Sequence, residues 1–290
     1  MTQIEALTGI RAHKLRMWER RYDFLIPLRT KTNIRYYTGE HLKKLLNIGI
    51  LTRNGFRISK IGKMSDDEIH VHVLEILSKI TNGIKDEINA LILSMMDFNE
   101  IEFNTIFQRN VIRKGFMATI TDLIYPFLNH IGILWGANKL IPAQEHFISN
   151  LIRQKIISAI EVLPLPSKDA PGIVLFLLEG EDHEIGLLIA SFIAKKLGWK
   201  VYYLGQKVPS KNITNVLELT KPHLMMTFLI NPRREVVKDL MEVLDSQKNV
   251  KALISGNMDL LKTIKTTRNI HLLENPNEYI QFLQKHMELV

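Results

Sequence analysis

With no cysteine among its 290 residues, the chain can form neither disulfides nor thiolate metal sites and has no cysteine nucleophile. Its chemistry therefore falls to histidines, carboxylates and basic groups. Of the ten histidines, His183 stands in the clearest pattern, with Glu181 two residues before it, Gly186 three after, and the apolar run Ile173 to Leu178 just upstream. A second grouping is Trp135, followed after nine intervening residues by Glu145 and His146. A third is basic: Arg11, Lys14, Arg16 and Arg20 crowd one short stretch, and Arg29, Lys31, Arg35 and Tyr36 follow it. No other histidines share a paired helical spacing, and His70 and His72 point apart on a helix, which argues against zinc. Taken alone, a histidine placed like His183 is more often an incidental loop residue than a ligand. Trp135 alone is likewise more often a core aromatic, and Glu145-His146 a solvated pair.

The elements that would carry these groups divide the chain into three. Residues 1 to 70 hold 14 of the 38 Lys and Arg but only 7 of the 30 Asp and Glu, so this quarter carries +7 of the net +8. A basic excess confined to one small module is the electrostatic footprint of a polyanion partner. Thr2 to Thr8 reads as a short helix stopped by Gly9, and Arg11 to Arg21 as a second whose Leu15 and Trp18 share a face. Two short helices joined by a glycine turn make a helix-turn-helix, and the four basic residues of the second could reach phosphates or base edges in a major groove. Pro27 opens an extended stretch that turns at Lys31-Thr32-Asn33, a small hairpin or wing, and Gly39 to Leu51 reads as the closing helix, with a short helix at Ile58 to Met64.

Residues 67 to 163 are helical in pattern, with Ile84, Ile88, Leu91 and Met95 on one face, and Gly83, Asn99, Gly115 and Pro126 break any long heptad run. Four or five helices would form a bundle. Gly136 is placed to end the helix that carries Trp135, and Pro142 suits the first turn of the next. Beyond the proline-rich linker Leu163 to Pro171, strands at Ile173–Leu178, Lys200–Leu204, Leu224–Ile230, Lys251–Ser255 and Ile270–Leu273 alternate with helices. This alternation predicts an α/β doubly wound, flavodoxin-like parallel sheet, whose ligands sit at the C-terminal ends of the strands, where His183 falls. The expected organisation is a winged helix-turn-helix over 1–70, an all-α four-helix bundle over 71–165 and the sheet domain over 170–290. No N-terminal stretch has the make-up of a signal peptide and no apolar run approaches the roughly 18 residues of a membrane span, so a cytoplasmic location without a membrane partner is expected.

The run TGIRAHKLRMWERRYDFLIPLRTKTNIRYYTGEHLKKL resembles the DNA-binding domain of the MerR family of transcriptional regulators. That resemblance implies promoter DNA as partner and a homo-oligomer, with Arg11, Lys14, Arg16, Arg20, Arg29, Lys31, Arg35 and Tyr36 at the DNA. Glu181-x-His183-x-x-Gly186 resembles the Asp/Glu-x-His-x-x-Gly motif of cobalamin-binding domains, and Gly205-x-x-Val208-Pro209 resembles their next motif. Thr227-x-Leu229 stands where such domains carry Ser-x-Leu or Ser-x-Thr, and Ser255-Gly256 where they prefer Gly-Gly, so an added side chain at Ser255 is expected to crowd the pocket for the cofactor's nucleotide tail. The resemblance implies that His183 coordinates cobalt, that Glu181 holds its other ring nitrogen, and that Gly186 lets the backbone approach the tail.

The Trp135, Glu145, His146 spacing resembles the helical cap of the B12-dependent, MerR-type photoreceptor repressors of carotenoid genes. By that likeness the cofactor is adenosylcobalamin, held between bundle and sheet domain, with dimers that assemble to tetramers and dissociate in light. Those photoreceptors carry a histidine directly after the cap tryptophan, where this chain has Gly136. The expected function is a cobalamin-controlled repressor and not an enzyme. The alternatives are a regulator with a degenerate pocket that acts through protein contacts, and a corrinoid carrier of a methyltransferase or mutase, for which no substrate-holding barrel segment is present.

Overall fold

The computed structural model describes residues 2–22, 26–30, 32–78, 83–136, 140–230, 234–246, 250–262, 264 and 269–287. They form two compact units, residues 1–149 and 150–290.

The first unit starts with α1 (Thr2–Thr8) and α2 (Ala12–Arg21), joined through Gly9, whose φ of 70° ends α1 in a way an L side chain would resist. Ala12 N at the start of α2 donates to Glu5 Oε2 at 3.0 Å, and Leu15 and Trp18 are buried beneath the helix as their spacing predicts. Strands β1 (Leu28–Arg29) and β2 (Arg35–Tyr36) pair antiparallel as the hairpin, with Asn33 at φ 63° in the turn. Helix α3 (Gly39–Arg53) begins in a reciprocal cap, where the Thr38 hydroxyl accepts from His41 N and His41 Nδ1 accepts from Thr38 N at 3.1 Å. The chain continues through α4 (Ile58–Ile61), α5 (Asp66–Ser78), α6 (Ile84–Met96) and α7 (Glu100–Thr119). On α6, Ile88, Leu91 and Met95 are buried as expected, but Ile84 is exposed because it is the helix's first residue and precedes the packed turns.

Gly115 kinks α7 at φ 82°, ψ 164° without ending it, and a π-helical turn, Ile120–Ile124, leads into α8 (Tyr125–Gly136). Pro126 explains the π turn, since proline has no N–H to give the carbonyl four residues back and its ring crowds that carbonyl. Helix α9 (Pro142–Glu161) starts on Pro142 and crosses the boundary between the two units.

A buried polar junction fastens α1 and α3 to α6. Arg53 Nε pairs with Asp86 Oδ1 at 2.6 Å, its Nη1 donates to Thr8 O at 2.9 Å, and Asn54 Nδ2 donates to Asp86 Oδ2 at 2.8 Å. In the amide orientation that satisfies both its ends, Asn89 donates to Leu7 O at 3.3 Å and accepts from Arg53 Nη2 at 2.7 Å. Space for the guanidinium comes from Gly49, where a Cβ would lie 2.8 Å from Thr8 O and 3.2 Å from Arg53 Nη1.

The second unit is a five-stranded parallel sheet: β3 (Gly172–Leu178), β4 (Lys200–Val208), β5 (Leu224–Leu229), β6 (Lys251–Gly256) and β7 (Ile270–Leu273), in the order β4-β3-β5-β6-β7. This is the doubly wound order of flavodoxin-like sheets, with its switch point between β3 and β5. All seven residues of β3 are buried, as a central strand covered on both faces requires. Helices α10 (Glu184–Lys196) and α14 (Pro276–Met287) lie on one face, and α11 (Ser210–Thr220), α12 (Arg234–Ser246) and α13 (Met258–Leu261) on the other, where Val174, Phe176 and Leu178 pack against Ile213, Leu217, Val236 and Leu240. Strand β4 runs four residues beyond its expected end at Leu204, through an irregularity where Gly205 and Lys207 both have positive φ. Among the described residues no helix is long and apolar enough to cross a membrane.

Removing one partner of the Arg53–Asp86 pair strands a charge whose side chain is only 7 % exposed. Arg53→Met is expected to destabilise the first unit by about 2–3 kcal/mol, the part-exposed guanidinium keeping the loss below that of a fully buried pair. Arg53→Met with Asp86→Leu should recover part of that loss; urea unfolding of the three variants measures both.

Candidate functional site

Two groups of residues stand out. The first is on α2, whose outer face carries Arg11, Lys14, Arg16 and Arg20, all exposed, while Leu15 and Trp18 anchor the inner face. An open depression of about 450 Å³ is lined by His13, Arg16, Met17, Arg20 and Arg21. A cationic helix face of this kind can pair with phosphates and present donors to base edges.

The hairpin residues divide. Arg29 Nη1 donates to Asn33 Oδ1 at 2.7 Å and so closes its own turn. Arg35 Nε pairs at 3.0 Å with Glu19, a carboxylate only 5 % exposed that also accepts the Tyr37 hydroxyl. Burial and that carboxylate push the Tyr37 phenol's pKa up, so it remains a donor. Glu19 therefore ties the hairpin to α2. Tyr36 is exposed, and Lys31 lies outside the described residues.

The second group surrounds the loop between β3 and α10. His183 is the residue before α10, with φ −82° and ψ 67°, and its side chain is 55 % exposed. Glu181, by contrast, is 1 % exposed. Its Oε1 accepts from His183 Nδ1 and, at 3.3 Å, from His183 N, while its Oε2 accepts from Ile230 N at 2.8 Å, just past β5. The carboxylate thus spans the switch point of the sheet. A carboxylate only accepts, so Nδ1 is the ring's N–H, and the lone pair of the neutral ring lies on Nε2. An imidazole held this way is oriented and made more basic for a metal ion at Nε2.

The other strand ends bear on the same rim. Gly205 begins the irregular end of β4, and Val208 ends it half-buried. Thr227 Oγ1 is buried and has no hydrogen-bond partner among the described residues, the state of an atom that a ligand would satisfy. Leu229 belongs to the apolar core. Gly256, at φ 137°, is required by space, since a Cβ there would lie 2.2 Å from Leu229 O. The Ser255 hydroxyl turns to β7 and donates to Leu273 O at 2.8 Å. At Gly186 a Cβ would lie 3.0 and 3.1 Å from ring atoms of Phe228, so the glycine makes room for that ring. In the first unit, Trp135 is half-exposed near the end of α8, and Glu145 Oε2 pairs with His146 Nδ1 at 2.8 Å in the first turn of α9.

Several supporting residues escaped the sequence reading. His13, Met17 and Arg21 fall at helical spacings from Arg16 and Arg20, a signal the sequence contains. Glu184 of α10, Tyr203 and Gln206 of β4, and Arg153 of α9 brace the His183 loop from three elements, and no local period joins them.

Comparison with known proteins adds family evidence. Residues 1–68 match the MerR HTH family regulatory proteins, and residues 75–158 match the B12 binding domain. The matched B12 segment is the helical one, and the His183 loop lies beyond it. The chain is homologous to the HTH-type transcriptional repressor CarH of Myxococcus xanthus, with 25 % identity covering 74 % of this chain and 73 % of the repressor. It is likewise homologous to the repressor CarA of the same organism, at 26 % identity over 79 % of this chain and 76 % of that one. The monomethylamine corrinoid protein of Methanosarcina barkeri aligns with a TM-score of 0.57 at 14 % identity over 72 % of this chain and all of its own, a likeness of fold. The chain thus joins a MerR-type helix-turn-helix to a B12-binding helical domain and a Rossmann-like sheet.

The strand-end geometry yields a paired expectation. Gly256→Ala must displace the end of β5 and should destabilise the second unit by about 2–4 kcal/mol. Ser255→Ala, which deletes one hydrogen bond, should cost about 1 kcal/mol; thermal melts monitored by circular dichroism separate the two.

Proposed function

We propose that the chain is a transcriptional repressor that reads promoter DNA with α2 and its hairpin and is controlled by cobalamin, in the adenosyl form, with His183 as the lower cobalt ligand. The observation that carries the reading is the Glu181 carboxylate fixing the His183 ring at the switch point of a doubly wound sheet. When bound, the corrinoid would supply a cobalt–carbon bond that light or reaction can break. The residues present fit such a group: an imidazole oriented through Nδ1, the unpartnered Thr227 hydroxyl, and a Gly256 that leaves no room for a side chain.

In this reading Glu181 and Gly205, Val208, Thr227, Leu229, Ser255 and Gly256 form the rim for the lower face and tail, with Gly186 keeping Phe228 in place. Trp135, Glu145 and His146 would be the helical segment's contribution to cofactor binding. Arg11, Lys14, Arg16, Arg20, Arg29, Arg35 and Tyr36 serve the DNA, Arg29 and Arg35 partly through the hairpin they stabilise. Control works by linkage, since the oligomer that binds cofactor more tightly is enriched by it and presents its helices to paired half-sites. The match of residues 1–68 to a DNA-binding family favours this role over that of a corrinoid carrier enzyme.

One observation favours a second reading of the signal. Gly136 has no side chain to offer cobalt where the photoreceptors carry histidine, which favours cofactor supply over light as the input.

Incubation with adenosylcobalamin in the dark is expected to give a coloured complex that survives desalting, and His183→Ala to lose imidazole ligation; a colourless protein contradicts the cofactor assignment. Mobility shifts before and after illumination distinguish light from cofactor supply. Arg20→Ala should weaken DNA binding and, if Arg20 meets a phosphate, lower the slope of log affinity against log salt by about 1.

A further inference from the structure

What holds the His183 loop still is not its own packing, because the imidazole is more than half exposed. The loop is braced from both sides. Gln206, in the irregular end of β4, donates its Nε2 to Asp182 O at 2.8 Å. Glu184, the next residue after His183 and the first of α10, is held more firmly: the Tyr203 hydroxyl of β4 donates to its Oε1 at 3.0 Å, and Arg153 Nη2 of α9 pairs with its Oε2 at 2.8 Å. Both carboxylate oxygens are thereby engaged, and the Glu184 side chain is only 13 % exposed. Glu184 N in turn donates to Asp182 O at 2.9 Å, so the backbone on either side of His183 is closed into a tight turn.

We propose that Glu184, clamped between Tyr203 and Arg153, is a positioning residue that sets the direction of the His183 imidazole. The inference rests on the reading of His183 as the cobalt ligand. Glu181 fixes the rotation of the ring, whereas Glu184 fixes the backbone from which the ring projects, and ligation needs both. Arg153 is about half exposed, which weakens its ion pair, so the Tyr203 hydroxyl supplies the firmer hold on the part-buried carboxylate. The part-buried Tyr203 phenol is kept protonated by burial and by Glu184 itself, both of which push its pKa up, so its donor persists across the physiological range.

The test uses the full-length protein loaded with hydroxocobalamin and reduced to cob(II)alamin, whose electron paramagnetic resonance reports the lower axial nitrogen. In protein made with nitrogen-15-labelled histidine, imidazole ligation converts the triplet splitting of each cobalt line to a doublet, which separates His183 from the cofactor's own base. Wild-type protein is expected to show the doublet. Glu184→Gln and Tyr203→Phe are each expected to shift the ratio of His-ligated to unligated cofactor about tenfold toward unligated, the scale of one charge-assisted hydrogen bond. Arg153→Gln should give a smaller shift in the same direction. Tyr203→Phe removes only a hydroxyl and carries the test if Glu184→Gln fails to fold. An undiminished doublet in both Glu184→Gln and Tyr203→Phe would overturn the positioning role alone. Absence of the doublet from the wild-type protein would overturn the ligation reading and the clamp's purpose with it.

Discussion

A carboxylate with almost no exposure to water must be given hydrogen-bond donors by the protein, and the way Glu181 obtains them organises the second unit's rim. Leaving it unpaired would cost several kcal/mol. Its donors come from the loop after β3 and from the backbone after β5, the two strands between which the winding of the sheet reverses. The satisfaction of one buried acceptor therefore fixes a loop, a ring orientation and a tautomer at once. The exposed imidazole projects from a loop that the buried carboxylate holds.

The first unit follows the same logic with the opposite charge. Its basic excess is kept on the outside of α2, while the buried polar groups are spent on tying elements together: Glu19 joins the hairpin to α2, and Asp86 and Asn89 join α6 to Arg53 and to the last turn of α1. These ties matter because a helix presented to a groove must be held in register with the backbone contacts around it. The helix-turn-helix does not stand apart from the first helix that follows residue 83; the two share one polar junction.

Much of this was legible in the sequence. All five sheet strands fall where apolar runs placed them, and the central β3, buried along its whole length, requires such a run. The hairpin, the glycine stop after α1 and the buried Leu15 and Trp18 were equally plain. The errors have local causes: the tail of β4 carries Gly205, Gln206 and Lys207, which read as a turn, and Ile84 satisfies a helical period but opens the helix. The bond from the Ser255 hydroxyl to a neighbouring strand's carbonyl, 18 residues away, has no signal in the sequence. The ties themselves were out of reach. Arg53 and Asp86 are 33 residues apart, and Glu181 and Ile230 are 49 apart, so no period connects them and only the folded chain brings them together.

The central claim is that Glu181 selects the imidazole tautomer with its proton on Nδ1. Nitrogen-15 NMR of His183 in the ligand-free protein at about pH 8, where an ordinary imidazole is neutral, measures this directly. The account predicts a protonated Nδ1 and a bare, pyridine-like Nε2. A ring protonated on Nε2, with Nδ1 bare, would contradict it.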